Sequence, residues 1–315
     1  MKLQQLIAQY VAFRKNLGAK FEGNETVLRA FLRAVGGGRY PVTVKPREVA
    51  AFLKGRGPVT RYWHRKYTVL RGFFRYAVSR GYLLASPLPV IVPKLPERSK
   101  PYIYSREELR RLLDHTATVQ TKRFQVEAHT FRTLLLLLYG AGLRVSEALS
   151  LTLQDVDLQE AVLVIRNTKF FKTRLVPLGS ELNCVMKEYA EQRKEEGHSQ
   201  CGDASFFVTR LGTRVPIYLV ERGFRRLRAQ AGVRREDEAR YQPRLHDLRH
   251  AAAVHRLTAW YQQGKDVQRL LPLLSTYLGH VDLVSTQLYL TTTPELLHEA
   301  NKRFGKYVFG EGGHD

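Results

Sequence analysis

Cysteine is nearly absent from this chain. There are two, Cys184 and Cys201, with no CxxC pair, and His198 with Cys201 completes no metal-ligand pattern. That excludes a disulfide framework, and a closed structural zinc site, which needs four ligands. Long apolar runs are also missing. The longest, residues 134–143, has ten residues, against the roughly 18 that signal a membrane span. The opening Met1-Lys2-Leu3-Gln4-Gln5 starts a polar-interrupted helical pattern rather than the apolar core of a signal peptide. These absences predict a cytoplasmic protein with reduced thiols, no membrane partner, no metal and no resident cofactor. Acidic residues are scarce in residues 1–100, four against 20 lysines and arginines. Nowhere do they cluster at two-metal spacing, which argues against a metal-dependent nuclease. There is no internal repeat and no low-complexity tract.

What is present is length, ordinary apolar content and positive charge. The chain has 315 residues, against about 100–200 for a typical domain, so one large or two medium domains are expected. Hydrophobic residues make up 44% and charged residues 25%, as in soluble globular proteins. A chain of this size can bury a core without disulfides or metals. The formal net charge is +22, of which residues 1–100 hold +16 and residues 101–315, with 31 basic and 25 acidic residues, hold +6. Such a balance favours a polyanionic partner, because counterion release drives binding to DNA or RNA. A ribosome-bound protein or a membrane-surface binder are the competing readings.

The pattern divides the chain into a helical DNA-binding domain at 1–88, a basic proline-rich linker at 89–104 and a second domain at 105–315. In the first, Leu3, Leu6, Ile7, Tyr10, Val11 and Phe13 fall near helical spacing, as do Val27, Leu28, Phe31 and Leu32. Gly36-Gly37-Gly38 stops the second helix, and Pro46 opens a third. A fourth carries Val69, Leu70, Phe73, Phe74 and Ala77; its start, residues 60–67, mixes cations with aromatics and reads as a face for a phosphate backbone. Pro89, Pro93, Pro96 and Pro101, with Lys94, Arg98 and Lys100 between them, predict an extended linker. Ser105-Arg106-Glu107-Glu108 signals the next helix start. Apolar helices follow over 129–139 and 145–149. Val162, Val164 and Val176, broken by Asn167-Thr168-Lys169, predict a β-hairpin. From residue 180 to about 307 the chain reads as mostly helical, with a frayed tail. The expected fold is mainly α with a small antiparallel β-sheet.

Four local clusters carry the chemistry. Arg144 follows Gly140-Ala141-Gly142 at a helix start, with Glu147 three residues on. Lys169 lies in the hairpin turn, ahead of Arg174-Leu175-Val176-Pro177-Leu178. His246 and Arg249 stand at i, i+3 in Leu245-His246-Asp247-Leu248-Arg249-His250, a spacing that shares one helix face. Gly279-His280 is followed nine residues later by Tyr289. Each cluster alone is common in structural roles; all four in this order are specific.

In this combination the sequence strongly resembles the tyrosine recombinases, the family of phage integrases and Xer-type enzymes, over nearly the whole chain. The resemblance implies a helical core-binding domain and a mixed α/β catalytic domain that clamp a DNA duplex from opposite faces. It also implies strand cutting and rejoining through a 3′-phosphotyrosine. Tyr289 would be the nucleophile. Arg144 and Arg249 would clamp the non-bridging oxygens with guanidiniums in place of a metal. Lys169 would protonate the leaving 5′ oxygen, His246 would assist proton transfer from the tyrosine, and His280 would hydrogen-bond the scissile phosphate. Double-stranded DNA is the implied partner, with a homotetramer on two duplexes, accessory recombinases or DNA-bending proteins as helpers, and a nucleoid location.

Rivals stand beside these assignments. Lys172 competes with Lys169 and Tyr277 with Tyr289, while His250 reads as a packing residue. Glu147 and Asp247, next to the two arginines in sequence, are expected to orient helices and guanidiniums, with a surface carboxylate as the alternative for Glu147. The segment between Arg249 and His280 is longer than in most of the family, and with residues 273–280 it is similar to transposase-like integrases of mobile elements. A C-terminal helix, residues 294–309, is expected to dock on a neighbouring subunit or on its own domain. The alternatives are a non-cutting accessory protein of the same fold and a type IB topoisomerase-like relaxase.

Overall fold

Apolar residues at helical spacing bury one stripe of each N-terminal helix. α1 (Leu3–Asn16) buries Leu3, Leu6, Ile7, Tyr10 and Val11, while Phe13, expected on the same stripe, is 38% exposed. α2 (Glu22–Val35) buries Val27, Leu28, Phe31 and Val35 and stops at Gly36. α3 (Pro46–Lys54) has Pro46 in its first turn, where a missing N–H breaks no helical bond. α4 (Arg61–Ser79) supplies Val69, Leu70, Phe73, Phe74 and Ala77 to the same core. The Tyr10 ring meets those of Phe21, Phe73 and Tyr76 at centroid distances of 5.6, 5.8 and 5.2 Å.

The computed structural model describes residues 1–55, 59–96, 100–120, 124–166, 173–237, 239, 241–280, 284–287, 289, 298–299 and 301–302. The chain separates into two compact units, Met1–Arg98 and Ser99–Asp315. Among the described residues no helix is long and apolar enough to cross a membrane.

One expectation for α4 needs correction. Residues 60–67 do not present all their cations to solvent. Trp63 and Lys66 are 7% exposed, and the Lys66 ammonium donates to the carbonyls of Phe52 and Leu53 in the last turn of α3. Lys66 therefore satisfies carbonyls that a helix end leaves unpaired. Arg61 and Arg65 remain exposed.

In the second unit Ser105 opens α5 (Arg106–Asp114) with a reciprocal cap. Its hydroxyl accepts from the Glu108 N–H at 3.1 Å, and its own N–H donates to the Glu108 carboxylate at 2.8 Å. α6 (Ala128–Gly140) is apolar nearly all round and runs through the core, which a helix of that composition must do. α7 (Val145–Ala148) follows a glycine turn. The sheet comprises β1 (Val156–Asp157), β2 (Val162–Ile165) and β3 (Arg174–Pro177), antiparallel in that order, with Ile165 opposite Arg174. Leu163, Ile165 and Val176 face the core. The two-residue β1 was not expected; it is too short to show a period. α8 (Ser180–Glu195), α9 (Ile217–Gln230), α10 (Asp247–Gln262), α11 (Val267–Leu278) and α12 (Val284–Gln287) complete the unit. The expected helical continuity after residue 180 breaks between α8 and α9. There Thr152 bridges Ser205, Val208 bridges Arg214, and the Phe206 and Phe207 side chains are buried. Most of the helix expected over 294–309 lies outside the described residues.

Candidate active site

Four segments distant in sequence meet at the C-terminal end of α11. Gly142 turns the chain before α7 with φ +60°, and a Cβ there would lie 2.8 Å from the Leu278 side chain, so glycine serves both the turn and the close approach. Arg144 follows at the N-cap of α7. Its N–H and one guanidinium nitrogen donate to Glu147 at 3.0 and 2.7 Å, and its Nη2 donates to the Gly279 carbonyl at 3.2 Å. Arg249, in the first turn of α10 and 2% exposed, donates to the Gly142 carbonyl at 2.7 Å and to the Leu278 carbonyl. Arg174, first in β3, donates through Nε to the Tyr277 carbonyl at 3.0 Å and through both terminal nitrogens to Glu147. Three successive carbonyls, those of Tyr277, Leu278 and Gly279, thus each accept from a different arginine. A helix C-terminus leaves such carbonyls unpaired and carries partial negative charge, so it is a natural seat for cations.

Three clustered guanidiniums repel, and Glu147 sits among them. Burial pushes its carboxyl up, but hydrogen bonds and charge from Arg174, then from Arg144, outweigh that and hold it at about 2. Burial, followed by the charge of Arg144, pulls Arg249 down to about 10, so it stays cationic at neutral pH. Arg174 escaped the sequence reading. It is 27 residues from Glu147 and 103 from Tyr277, and no local motif announces either partner. Asp247 differs from expectation: it holds Arg244, through the backbone N–H at 2.8 Å and Nη2 at 3.0 Å, rather than Arg249.

Against the arginines lies a file of rings. His246 immediately precedes α10 rather than standing within it. Burial, then the Arg249 charge, lowers its pKa, so it is neutral at neutral pH. The His250 ring lies 4.9 Å from His246 and 5.4 Å from Tyr289. Burial and His246 bring His250 down to about 4, and its Nδ1 is buried with no hydrogen-bond partner among the described residues. His280 shares a 2.7 Å hydrogen bond between Nδ1 and the Thr286 hydroxyl and lies 5.9 Å from the Tyr289 ring. Tyr289 is 2% exposed. Burial raises its pKa, while the charge of Arg249, a hydrogen bond from it, and the charge of Arg144 pull the other way.

The structure therefore gathers Arg144, His246, Arg249, His280 and Tyr289. Lys169 and Lys172 lie outside the described residues. The Tyr277 hydroxyl donates to the Pro177 carbonyl at 3.4 Å, and it is the Tyr277 carbonyl that meets the arginines. Cys184 and Cys201 are exposed and free. Among the described residues no group of three His, Cys, Asp or Glu side chains could hold a metal ion.

The first unit carries a cleft of about 520 Å³ between α1, α2 and α4, lined by Arg14, Arg61, Arg65, Arg71, Arg75 and Asn24 among others. The four α4 arginines are exposed and, among the described residues, in no ion pair.

Residues 104–295 match the phage integrase family. The chain is 35% identical over 302 residues to the inferred integrase/recombinase y4rB of Sinorhizobium fredii (strain NBRC 101917 / NGR234), covering 95% of this chain and 96% of that one. It is 30% identical over 276 residues to tyrosine recombinase XerD of Rhizobium meliloti (strain 1021), covering 86% and 83%. Among solved structures, the Tn1549 transposon integrase in complex with transposon right end DNA aligns with a TM-score of 0.68 at 18% identity, over 98% of this chain and 100% of that one, a likeness of fold.

Proposed function

The chain belongs to the phage integrase family, the tyrosine recombinases, enzymes that break and rejoin DNA strands, and from that premise we propose that it is a site-specific recombinase of a mobile element that cuts DNA through a 3′-phosphotyrosine without a metal. The observation that carries this reading is Tyr289 buried at 2% exposure against His250 and His280, with the charges of Arg249 and Arg144 both acting on its hydroxyl. A tyrosine in an apolar pocket alone would be a poor nucleophile. Two cations offset part of that burial and supply the charge that a phosphoryl transition state demands.

On this reading the Tyr289 oxygen attacks the scissile phosphorus and the bond to the 5′ oxygen breaks. The phenolic proton passes to His246, which burial keeps neutral and so able to accept it. Lys169 gives a proton to the departing 5′ oxygen, a role that rests on the family likeness. Arg144 and Arg249 bind the non-bridging oxygens, and His280 hydrogen-bonds the same phosphate. The phosphotyrosine keeps the bond energy, so attack by another strand's 5′ hydroxyl reseals the DNA. Double-stranded DNA is the substrate, gripped in part by the arginine cleft of the first unit. The assembly is a homotetramer on two duplexes, aided by accessory recombinases or DNA-bending proteins, and works in the cytoplasm at the nucleoid.

The test is a nicked duplex from the ends of the element that encodes the protein, incubated with EDTA throughout and denatured in SDS. Wild type should yield protein shifted by attached DNA, and Tyr289→Phe should bind the DNA but yield none. Tight binding with no adduct from either protein would overturn strand cleavage in favour of a non-cutting accessory role.

A further inference from the structure

Arg174 takes no part in the steps above, yet it is built into the site more firmly than Arg144. Its side chain is 10% exposed, against 33% for Arg144. Its guanidinium lies against the Gly279 backbone so closely that a Cβ there would sit 2.6 Å from Nη1. Gly279 adopts φ +67° and so needs glycine on both counts. The Glu147 carboxylate is shared between the two arginines. Oε1 accepts from Arg144 at 2.7 Å and Arg174 at 3.2 Å, and Oε2 accepts from the Arg144 N–H at 3.0 Å and Arg174 at 2.9 Å. All four of its acceptor positions are filled.

We propose that Arg174 is a positioning residue that neutralises Glu147, so that the carboxylate can hold the Arg144 guanidinium in place without quenching its charge toward the scissile phosphate. One carboxylate facing only Arg144 would make a neutral, closed ion pair. With Arg174 present the three groups carry a net positive charge, and the more exposed guanidinium, that of Arg144, is the one left facing outward. The Nε bond to the Tyr277 carbonyl and the place of Arg174 opposite Ile165 in the sheet keep it from swinging into the phosphate site itself. A fully satisfied network of this kind fixes geometry; a half-satisfied one leaves a buried charge to find its own partner. This inference rests on the strand-cleaving reading above.

A double-mutant cycle separates it from a merely structural role. On the nicked duplex, Arg174→Gln should slow single-turnover adduct formation by about 100-fold, comparable to the loss of a fixed donor at a charged transition state, with DNA affinity within about twofold of wild type. Adding Glu147→Gln to that variant should then speed it by about tenfold, because the carboxylate that quenched Arg144 is gone. Arg174→Lys keeps the buried cation but loses the two-pronged grip on Glu147, so it should react more slowly than wild type yet faster than Arg174→Gln. Arg174→Gln reacting at the wild-type rate, a double variant no faster than Arg174→Gln, or a folded, DNA-binding lysine variant no faster than Arg174→Gln would each overturn the proposal. Wild type forming no adduct would instead overturn the cleavage reading, and this inference with it.

Discussion

In the C-terminal unit Arg144, Arg174 and Arg249 are each tied to a backbone carbonyl and two of them also to Glu147. In the N-terminal unit Arg61, Arg65, Arg71 and Arg75 line a cleft with exposed side chains and, among the described residues, no ion pair. The residue type is the same and the setting is opposite. Held arginines suit a transition state, because donors already aimed need no reorganisation when charge develops. Exposed arginines suit a DNA backbone, whose affinity comes from counterion release and tolerates mobile side chains. The total charge of +22 conceals this division.

The division can be broken most sharply at the held arginines. Arg144→Ala or Arg249→Ala should lower the single-turnover adduct rate about 10³-fold while changing DNA affinity far less. The reverse result, weak affinity with a normal rate at saturating protein, would erase the distinction. Next comes Glu147, the group that makes the held cluster tolerable. Its carboxyl sits at about 2 against an ordinary 4.5, so it stabilises the fold fully above about pH 4.5 and the contribution fades as pH falls toward 2. Glu147→Gln should cost about 2–3 kcal/mol near neutral pH, and the gap to wild type in urea melts should close on acidification through that window. A gap independent of pH would mean that the ion pairs do not hold the carboxyl down.

On the other side, Arg65→Ala with Arg75→Ala should weaken DNA binding and flatten the dependence of log affinity on log salt by about 0.9 for each phosphate no longer neutralised. An unchanged salt slope would remove the cleft from the DNA interface. The smallest effect sharpens the comparison within one helix. Lys66 is a cation of α4 that caps α3 instead of facing the cleft. Lys66→Met should cost the N-terminal unit about 1 kcal/mol in a thermal melt and leave the salt slope of DNA binding unaltered.

The legible parts of the chain were those written in local pattern. The apolar stripes of α1 to α4, the reciprocal cap at Ser105 and the two longer strands follow from spacing and cap residues within a few positions of one another. The clusters that hold Arg144, His246, Arg249, His280 and Tyr289 could be singled out only together, through their resemblance to the tyrosine recombinases. The parts that stayed hidden depend on partners far off in sequence or on backbone atoms. Lys66 looks like a surface cation until the α3 carbonyls are beside it. Arg174 looks like the first residue of a strand until Glu147 and the end of α11 close on it. Asp247 neighbours Arg249 in sequence but turns to Arg244, because its place at the first turn of α10 aims it at the preceding backbone N–H. The irregular stretch between α8 and α9 is held by the buried Phe206 and Phe207 rather than by a period.

The most direct test is chemical. The adduct from the nicked duplex should be digested with protease and nuclease, and the peptide that retains nucleotide sequenced by mass spectrometry. The phosphate should be found on Tyr289, joined to the 3′ side of the break. Phosphate on Tyr277, or on any other residue, would contradict the claim that the arginine cluster at the end of α11 is built around Tyr289.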